Sequence, residues 1–176
     1  MLIKDKEFEL FLSSEVIRKR VMELASFIEV DYKDRNPLFL GVLNGCFIFA
    51  ADLVRGISSK TEIKFVKISS YAGMKSTGKI VRTLNVENLE GRNIIIVEDI
   101  VDTGNTLIHF LDEVWGCKPE SVEIATLLFK KEALQHQLNL KYIGFEIPDK
   151  FVVGYGLDYD EEGRNLSDIY QLKSKE

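Results

Sequence analysis

The stretch from Asn93 to Thr106, Asn-Ile-Ile-Ile-Val-Glu-Asp-Ile-Val-Asp-Thr-Gly-Asn-Thr, limits the possible folds more than any other. Four consecutive apolar residues, Ile94 to Val97, read as a strand covered on both faces, the pattern of a parallel sheet. That strand runs into two adjacent carboxylates, Glu98 and Asp99, and a third, Asp102, follows. Thr103-Gly104-Asn105-Thr106 then opens a helix whose apolar stripe is Leu107, Phe110, Leu111 and Val114, closed by Gly116. In open α/β sheets the carboxyl ends of the strands form the ligand crevice. Unsatisfied N–H groups at a helix start, a glycine that permits close approach and two threonine hydroxyls suit a phosphate. Glu98 and Asp99 stand where they could accept hydrogen bonds from vicinal sugar hydroxyls. The segment alone therefore suggests a sugar phosphate. It also fits an acidic surface turn in which Asp102 or Thr103 caps the helix. It is neither a Walker A loop nor a G-x-G-x-x-G turn.

The rest of the chain repeats the alternation. Ser13-Ser14-Glu15 starts a helix carrying Ile17, Val21, Leu24, Ala25 and Ile28, with Met22 and Phe27 also assigned to the core. Strands are expected at Leu38–Leu43, Ile63–Ile68, Ile80–Val86, Val122–Phe129, Tyr142–Phe145 and Phe151–Tyr155, with a helix at about Phe47–Val54. Residues 69–79 are polar, aperiodic and too long for a turn, so they read as a functional loop. Strands interleaved with helices imply an α/β fold: a mainly parallel, twisted sheet flanked by helices. No repeat or composition break divides the 176 residues, so one domain is expected.

Composition removes several function classes. Lys and Arg total 23 against 28 Asp and Glu, a net charge of −5, which offers no basic field for nucleic acid. Cys46 and Cys117 lack CxxC spacing, so reduced core thiols are expected rather than a disulfide or zinc site. Met1–Lys6 has no apolar signal region, and the most apolar run, Leu38–Val54, is broken by Asn44 and Asp52. No membrane span and a cytoplasmic location are expected.

Glu98-Asp99-Ile100-Val101-Asp102-Thr103-Gly104-Asn105-Thr106 resembles the phosphoribosyl-diphosphate (PRPP) motif of type I phosphoribosyltransferases. The run Phe145-Glu146-Ile147-Pro148-Asp149-Lys150-Phe151-Val152-Val153-Gly154-Tyr155-Gly156-Leu157-Asp158-Tyr159 resembles the purine segment of the family's hypoxanthine/guanine branch. Leu43-Asn44-Gly45-Cys46 falls at the family's pyrophosphate loop, and Ser70-Tyr71 at its flexible loop. The resemblance implies a core at about 38–145 and a small hood over the base, built from the N-terminal segment and 146–176. It implies Mg²⁺-dependent purine salvage, with hypoxanthine or guanine and PRPP as substrates, by a homodimer or homotetramer.

On that resemblance Thr103, Gly104, Asn105 and Thr106 hold the 5′-phosphate, and Glu98 and Asp99 the ribose. Asn44, Gly45 and Arg164 take pyrophosphate. Asp102 is the catalytic carboxylate near purine N7. Phe151 stacks on the purine, Lys130 and Lys150 supply cationic donors, one of them to O6, and Val152 meets the base through its main chain. Glu98, Asp99 and Asp158 are the implied Mg²⁺ contacts. Without the resemblance Lys150 reads as a turn lysine, Phe151 as a core ring, Asp158 and Arg164 as a solvated face, and His109 and His136 as structural. Many family members carry lysine where this chain has Asn44, and residue 105 varies in the family. The rival readings are a xanthine-preferring enzyme and a PRPP-sensing or RNA-binding regulator on the same fold.

Overall fold

The computed structural model describes residues 1–68 and 86–173. In chain order the elements are β1 (Leu2–Ile3), β2 (Lys6–Leu12), α1 (Ser14–Asp31), β3 (Leu38–Leu43), α2 (Phe47–Arg55), β4 (Glu62–Lys67), β5 (Asn93–Val101), α3 (Asn105–Gly116), β6 (Ser121–Phe129), β7 (Tyr142–Glu146), β8 (Val152–Val153) and β9 (Ile169–Leu172).

Five strands form one parallel sheet in the order β4-β3-β5-β6-β7. The uninterrupted apolar runs have a simple cause. Successive side chains of a strand point to opposite faces, and here both faces are covered. Ile95 and Val97 of β5 pack with Phe39 of β3 against Ile17, Val21, Leu24 and Ile28 of α1 and Phe49 and Leu53 of α2. Ile94 and Ile96 pack with Leu38 and Leu40 against Leu107, Phe110 and Val114 of α3. The α1 stripe lies where its spacing predicts, but Met22 and Phe27 are 49% and 53% exposed instead of in the core. They fall off the stripe that faces the sheet.

The strand order places a crevice. After β3 the chain lays β4 on one side of it and then returns to lay β5 on the other. Connections from β3 and β5 therefore diverge, and the gap between their carboxyl ends is the topological switch point. Pairing of β3 with β5 runs from Leu38↔Ile94 to Gly41↔Val97 and stops there, so from Glu98 onward β5 has only β6 beside it.

A second, antiparallel sheet joins the two ends of the chain in the order β1-β2-β9-β8. Phe8 of β2 faces Leu172 of β9, and Ile3, Phe8 and Val153 form its small core. Strands at 6–12 and 169–172 are absent from the sequence reading, and the strand expected over Phe151–Tyr155 is confined to Val152–Val153. The strand expected at Ile80–Val86 lies outside the described residues except for Val86, which is in no strand. Gly116 is the last residue of α3 and Cys117, at φ −84°, follows as the cap, so α3 does not end on a left-handed glycine.

Candidate active site

Glu98 and Asp99 stand at the lip of the crevice. Glu98 Oε2 is sealed from solvent and accepts no hydrogen bond, the one such buried side-chain atom among the described residues. Burial first, and then the neighbouring Asp99, hold the Glu98 carboxyl well above the usual range. Burial likewise pushes Asp99 up to about 6, although the Ile100 N–H, which donates to its Oδ1 at 3.0 Å, works against that rise. Among the described residues neither carboxyl has an ion-pair partner, and Arg164, which lines the same cavity, only partly offsets the rise of Asp99, so these residues leave the site short of positive charge.

They line a cavity of about 280 Å³ together with Asn44, Gly45, Thr106, Asp158 and Arg164. Seven of the site residues expected from sequence thus meet in one place, although they come from β3, β5, α3 and the C-terminal region. The Leu43–Asn44 peptide is cis, and Asn44 O accepts from Phe47 N at 3.3 Å as the chain turns into α2. Gly45 is fixed by contact: a Cβ there would lie 1.5 Å from Asp99 Oδ2. The pyrophosphate-loop candidate therefore rests directly on a carboxylate of the β5 end.

Opposite them, Arg164 and Asp158 hold one another. Arg164 Nη2 lies 2.7 Å from Asp158 Oδ1, while its Nη1 donates to Gly156 O at 2.8 Å. Asp158 Oδ2 accepts from Glu161 N at 2.8 Å. The segment carrying them is tied to α2 by Tyr155, whose hydroxyl donates to Asp52 Oδ2 at 2.7 Å. Burial and that carboxylate raise the Tyr155 phenol. Neither Tyr155 nor Asp52 was singled out by sequence reasoning.

The turn before α3 does not use a side-chain cap from Asp102. Its cap residue is Gly104, at φ +80°, a conformation that favours glycine, and Thr103 Oγ1 accepts from Asn105 N at 3.4 Å. Of this turn Thr106 lines the cavity, and the first N–H groups of a helix lack intrahelical acceptors. Asn105 is exposed, and its side chain pairs with His136 Nε2.

Asp102 belongs to a second cluster. Lys130, at the end of β6, donates to Asp102 Oδ2 at 2.8 Å and to Asp149 Oδ1 at 3.0 Å. Burial works to lower the Lys130 ammonium, but the hydrogen bonds to Asp102 and Asp149 outweigh it and leave it raised. Sequence reasoning assigned Asp149 no role. Beyond it Lys150 is half-buried and Val152 is buried in the main core, which leaves only its backbone for a ligand. Phe151 is 45% exposed, with its ring 6.3 Å from Phe8 and 5.8 Å, edge on, from Tyr159. The Phe151 ring is thus held in an aromatic cluster with Phe8 and Tyr159.

Ser70 and Tyr71 lie outside the described residues. Cys46 and Cys117 are both unbridged thiols. No helix is long and apolar enough to cross a membrane, among the residues described. Two larger cavities, of about 560 and 510 Å³, lie elsewhere, one against α1 and α2 and one beside β1.

Residues 11–160 match the phosphoribosyl transferase domain family. A hypoxanthine-guanine phosphoribosyltransferase of Aquifex aeolicus (strain VF5) is 43% identical over 175 residues, covering 97% of this chain and 98% of that protein. One from Bacillus subtilis (strain 168) is 42% identical over 168 residues, covering 94% and 93%. The crystal structure of a hypoxanthine-guanine phosphoribosyltransferase from Bacillus anthracis str. 'Ames Ancestor' has a TM-score of 0.87 at 39% identity, over 96% of this chain and 100% of that one.

Proposed function

The chain belongs to the phosphoribosyl transferase domain family, and from that premise we propose that it is a purine-salvage enzyme. It moves the 5-phosphoribosyl group of PRPP onto hypoxanthine or guanine, giving the nucleoside 5′-monophosphate and pyrophosphate. The observation that carries this is the switch-point cavity, which gathers Asn44, Gly45, Glu98, Asp99, Thr106, Asp158 and Arg164 beside the Asp102–Lys130 cluster.

In this reading the α3 start, Thr103 to Thr106, takes the 5′-phosphate on backbone N–H groups and hydroxyls. Glu98 and Asp99 accept from the ribose hydroxyls. As pyrophosphate departs, the anomeric carbon becomes cationic, and their negative charge stabilises it. Arg164 and the N–H groups of the Asn44-Gly45 loop receive the pyrophosphate, for which a planar guanidinium fork is well shaped. Asp102 accepts or steadies the proton at purine N7. Lys130 serves the 6-oxo oxygen, Lys150 the pocket wall and Phe151 the purine face, with Val152 contributing main chain.

The residues fit Mg²⁺. Glu98, whose sealed Oε2 has no hydrogen-bond partner, lines the cavity together with Asp99 and Asp158, a hard oxygen set. Among the described residues no cluster of three protein ligands is preformed. Bound there, Mg²⁺ supplies the positive charge that the departing pyrophosphate requires. A homodimer or homotetramer in the cytoplasm completes the reading. Exposed Met22 and Phe27 on α1 and Phe47 on α2 offer apolar surface for assembly, which light scattering would test.

The deciding assay supplies PRPP and Mg²⁺ with hypoxanthine, guanine, xanthine and adenine in parallel. Hypoxanthine and guanine should turn over. Adenine brings an amino donor where the ammonium of Lys130 needs an acceptor, so its kcat/KM should be lower by about 10⁴–10⁵. Adenine turnover equal to hypoxanthine turnover overturns the specificity, and faster xanthine turnover reassigns the substrate.

A further inference from the structure

Lys130 is the one charged residue in the fully buried class among those described. One carboxylate would neutralise it, yet two contact it. They come from different strand ends: Asp102 follows β5, Lys130 follows β6, and Asp149 sits in the turn beyond β7. The backbone joins the same three ends, with Lys130 N donating to Val101 O and Ile147 N to Phe129 O, each at 2.9 Å. The turn is closed by Lys150 N on Pro148 O at 2.7 Å, and the chain leaves it directly into Phe151 and Val152.

An ammonium has three N–H donors and no acceptor. With Asp102 and Asp149 each taking one at 2.8 and 3.0 Å, the direction of the third is fixed by tetrahedral geometry. We propose that Asp149 is a positioning residue: it holds Lys130 so that the third N–H points at the 6-oxo oxygen of the purine. It also keeps the Lys130 charge from being committed wholly to Asp102. This rests on the reading of Lys130 as the 6-oxo donor. Without Asp149, Lys130 forms a two-body pair with Asp102 and can swing about it. The aim of the third donor is then lost, and Asp102 becomes a weaker acceptor for the purine proton.

Asp149 acts away from PRPP, whose cavity is lined by other residues. Its side chain is 64% exposed, and the more buried Lys130 keeps Asp102 as a partner when Asp149 is neutralised, so the cost to folding is small. Its removal should therefore be felt by the purine and by little else.

The experiment compares Asp149→Asn and Asp149→Glu with wild type, varying hypoxanthine and PRPP separately and recording Tm. A charge-assisted hydrogen bond commonly amounts to about 10- to 100-fold in an equilibrium constant. Asp149→Asn should raise the hypoxanthine KM by about 10-fold or more, with the PRPP KM within about twofold of wild type and an unchanged Tm. Asp149→Glu should recover most of the loss. An unchanged hypoxanthine KM in Asp149→Asn overturns the proposal. So does a parallel rise in both KM values, or a Glu variant as impaired as the Asn variant. If wild type turns over no purine with PRPP, the underlying functional reading fails instead, and this inference with it.

Discussion

Glu98-Asp99 and Asp102 sit within five residues at the end of one strand, yet their surroundings are opposite. Glu98 and Asp99 are crowded together with no ion-pair partner among the described residues, and burial pushes both toward holding protons. Asp102 has the Lys130 ammonium at 2.8 Å. The first pair is uncompensated and gains from any positive charge that arrives, whether a divalent ion or a sugar carbon that becomes cationic. The second is compensated within the protein, so it can recognise a neutral purine by hydrogen bonds. The point at which β3 stops pairing with β5 opens the crevice beside the first pair, whereas Asp102 lies beyond the last residue of β5, within reach of the end of β6.

The contrast breaks most decisively at Asp102. Asp102→Asn keeps the shape and removes the charge, and loss of a positioned acid or base commonly lowers a rate by about 10²–10⁴. We expect a kcat reduction in that range, with little change in the KM for PRPP, because Asp102 does not line the cavity proposed for it. Steady-state kinetics with both substrates varied checks this. Wild-type kcat in the variant would remove the compensated carboxylate from the chemistry.

Next in size is Gly45→Ala. The new Cβ would stand 1.5 Å from Asp99 Oδ2, so either the loop or the carboxylate must move. Misplacing catalytic groups by about 1 Å can cost about 10²-fold. The PRPP KM or kcat/KM should worsen on that scale, while hypoxanthine binding, governed by the Lys130 cluster, stays near wild type. Equal damage to both substrates would mean that the two halves are not separable.

What was legible in the sequence follows the same division. The β5 end could be read because its parts are contiguous: four apolar residues demand a covered strand, and acids directly after it have no apolar role. The partners of these groups could not be read. Asp149 acquires its role from a lysine 19 residues away, and Tyr155 from Asp52, 103 residues away. Arg164 and Asp158 looked like a solvated stretch until the fold closed them on each other. The second sheet was hidden because β2 and β9 pair the two ends of the chain, and no contiguous motif links them. Met22 and Phe27 show the converse error, since apolar character alone does not bury a side chain off the packed stripe.

The smallest effect concerns stability, and it tests the uncompensated half directly. Asp99 has a reference value of 3.8 and is raised to about 6 in the folded chain. Between those values the folded state binds more protons than the unfolded state, so this group makes stability fall as pH rises. The loss begins near pH 4 and is complete above about 6. Glu98 is raised in the same direction by burial and by Asp99, so it adds a penalty of the same sign. Glu98→Gln removes one of the two charges. In the absence of ligand it should raise Tm at pH 7 and make Tm depend less on pH between 4 and 7. Each kcal/mol of relieved penalty corresponds to about 2–4 °C for a chain of this size. Mg²⁺ with PRPP should raise the wild-type Tm more at pH 7 than at pH 5, because a cation gains from these carboxyls only when they are ionised. In Glu98→Gln that difference should shrink. Identical Tm–pH curves for wild type and Glu98→Gln would mean that Glu98 carries no charge penalty, and the contrast with Asp102 would then rest on Asp99 alone.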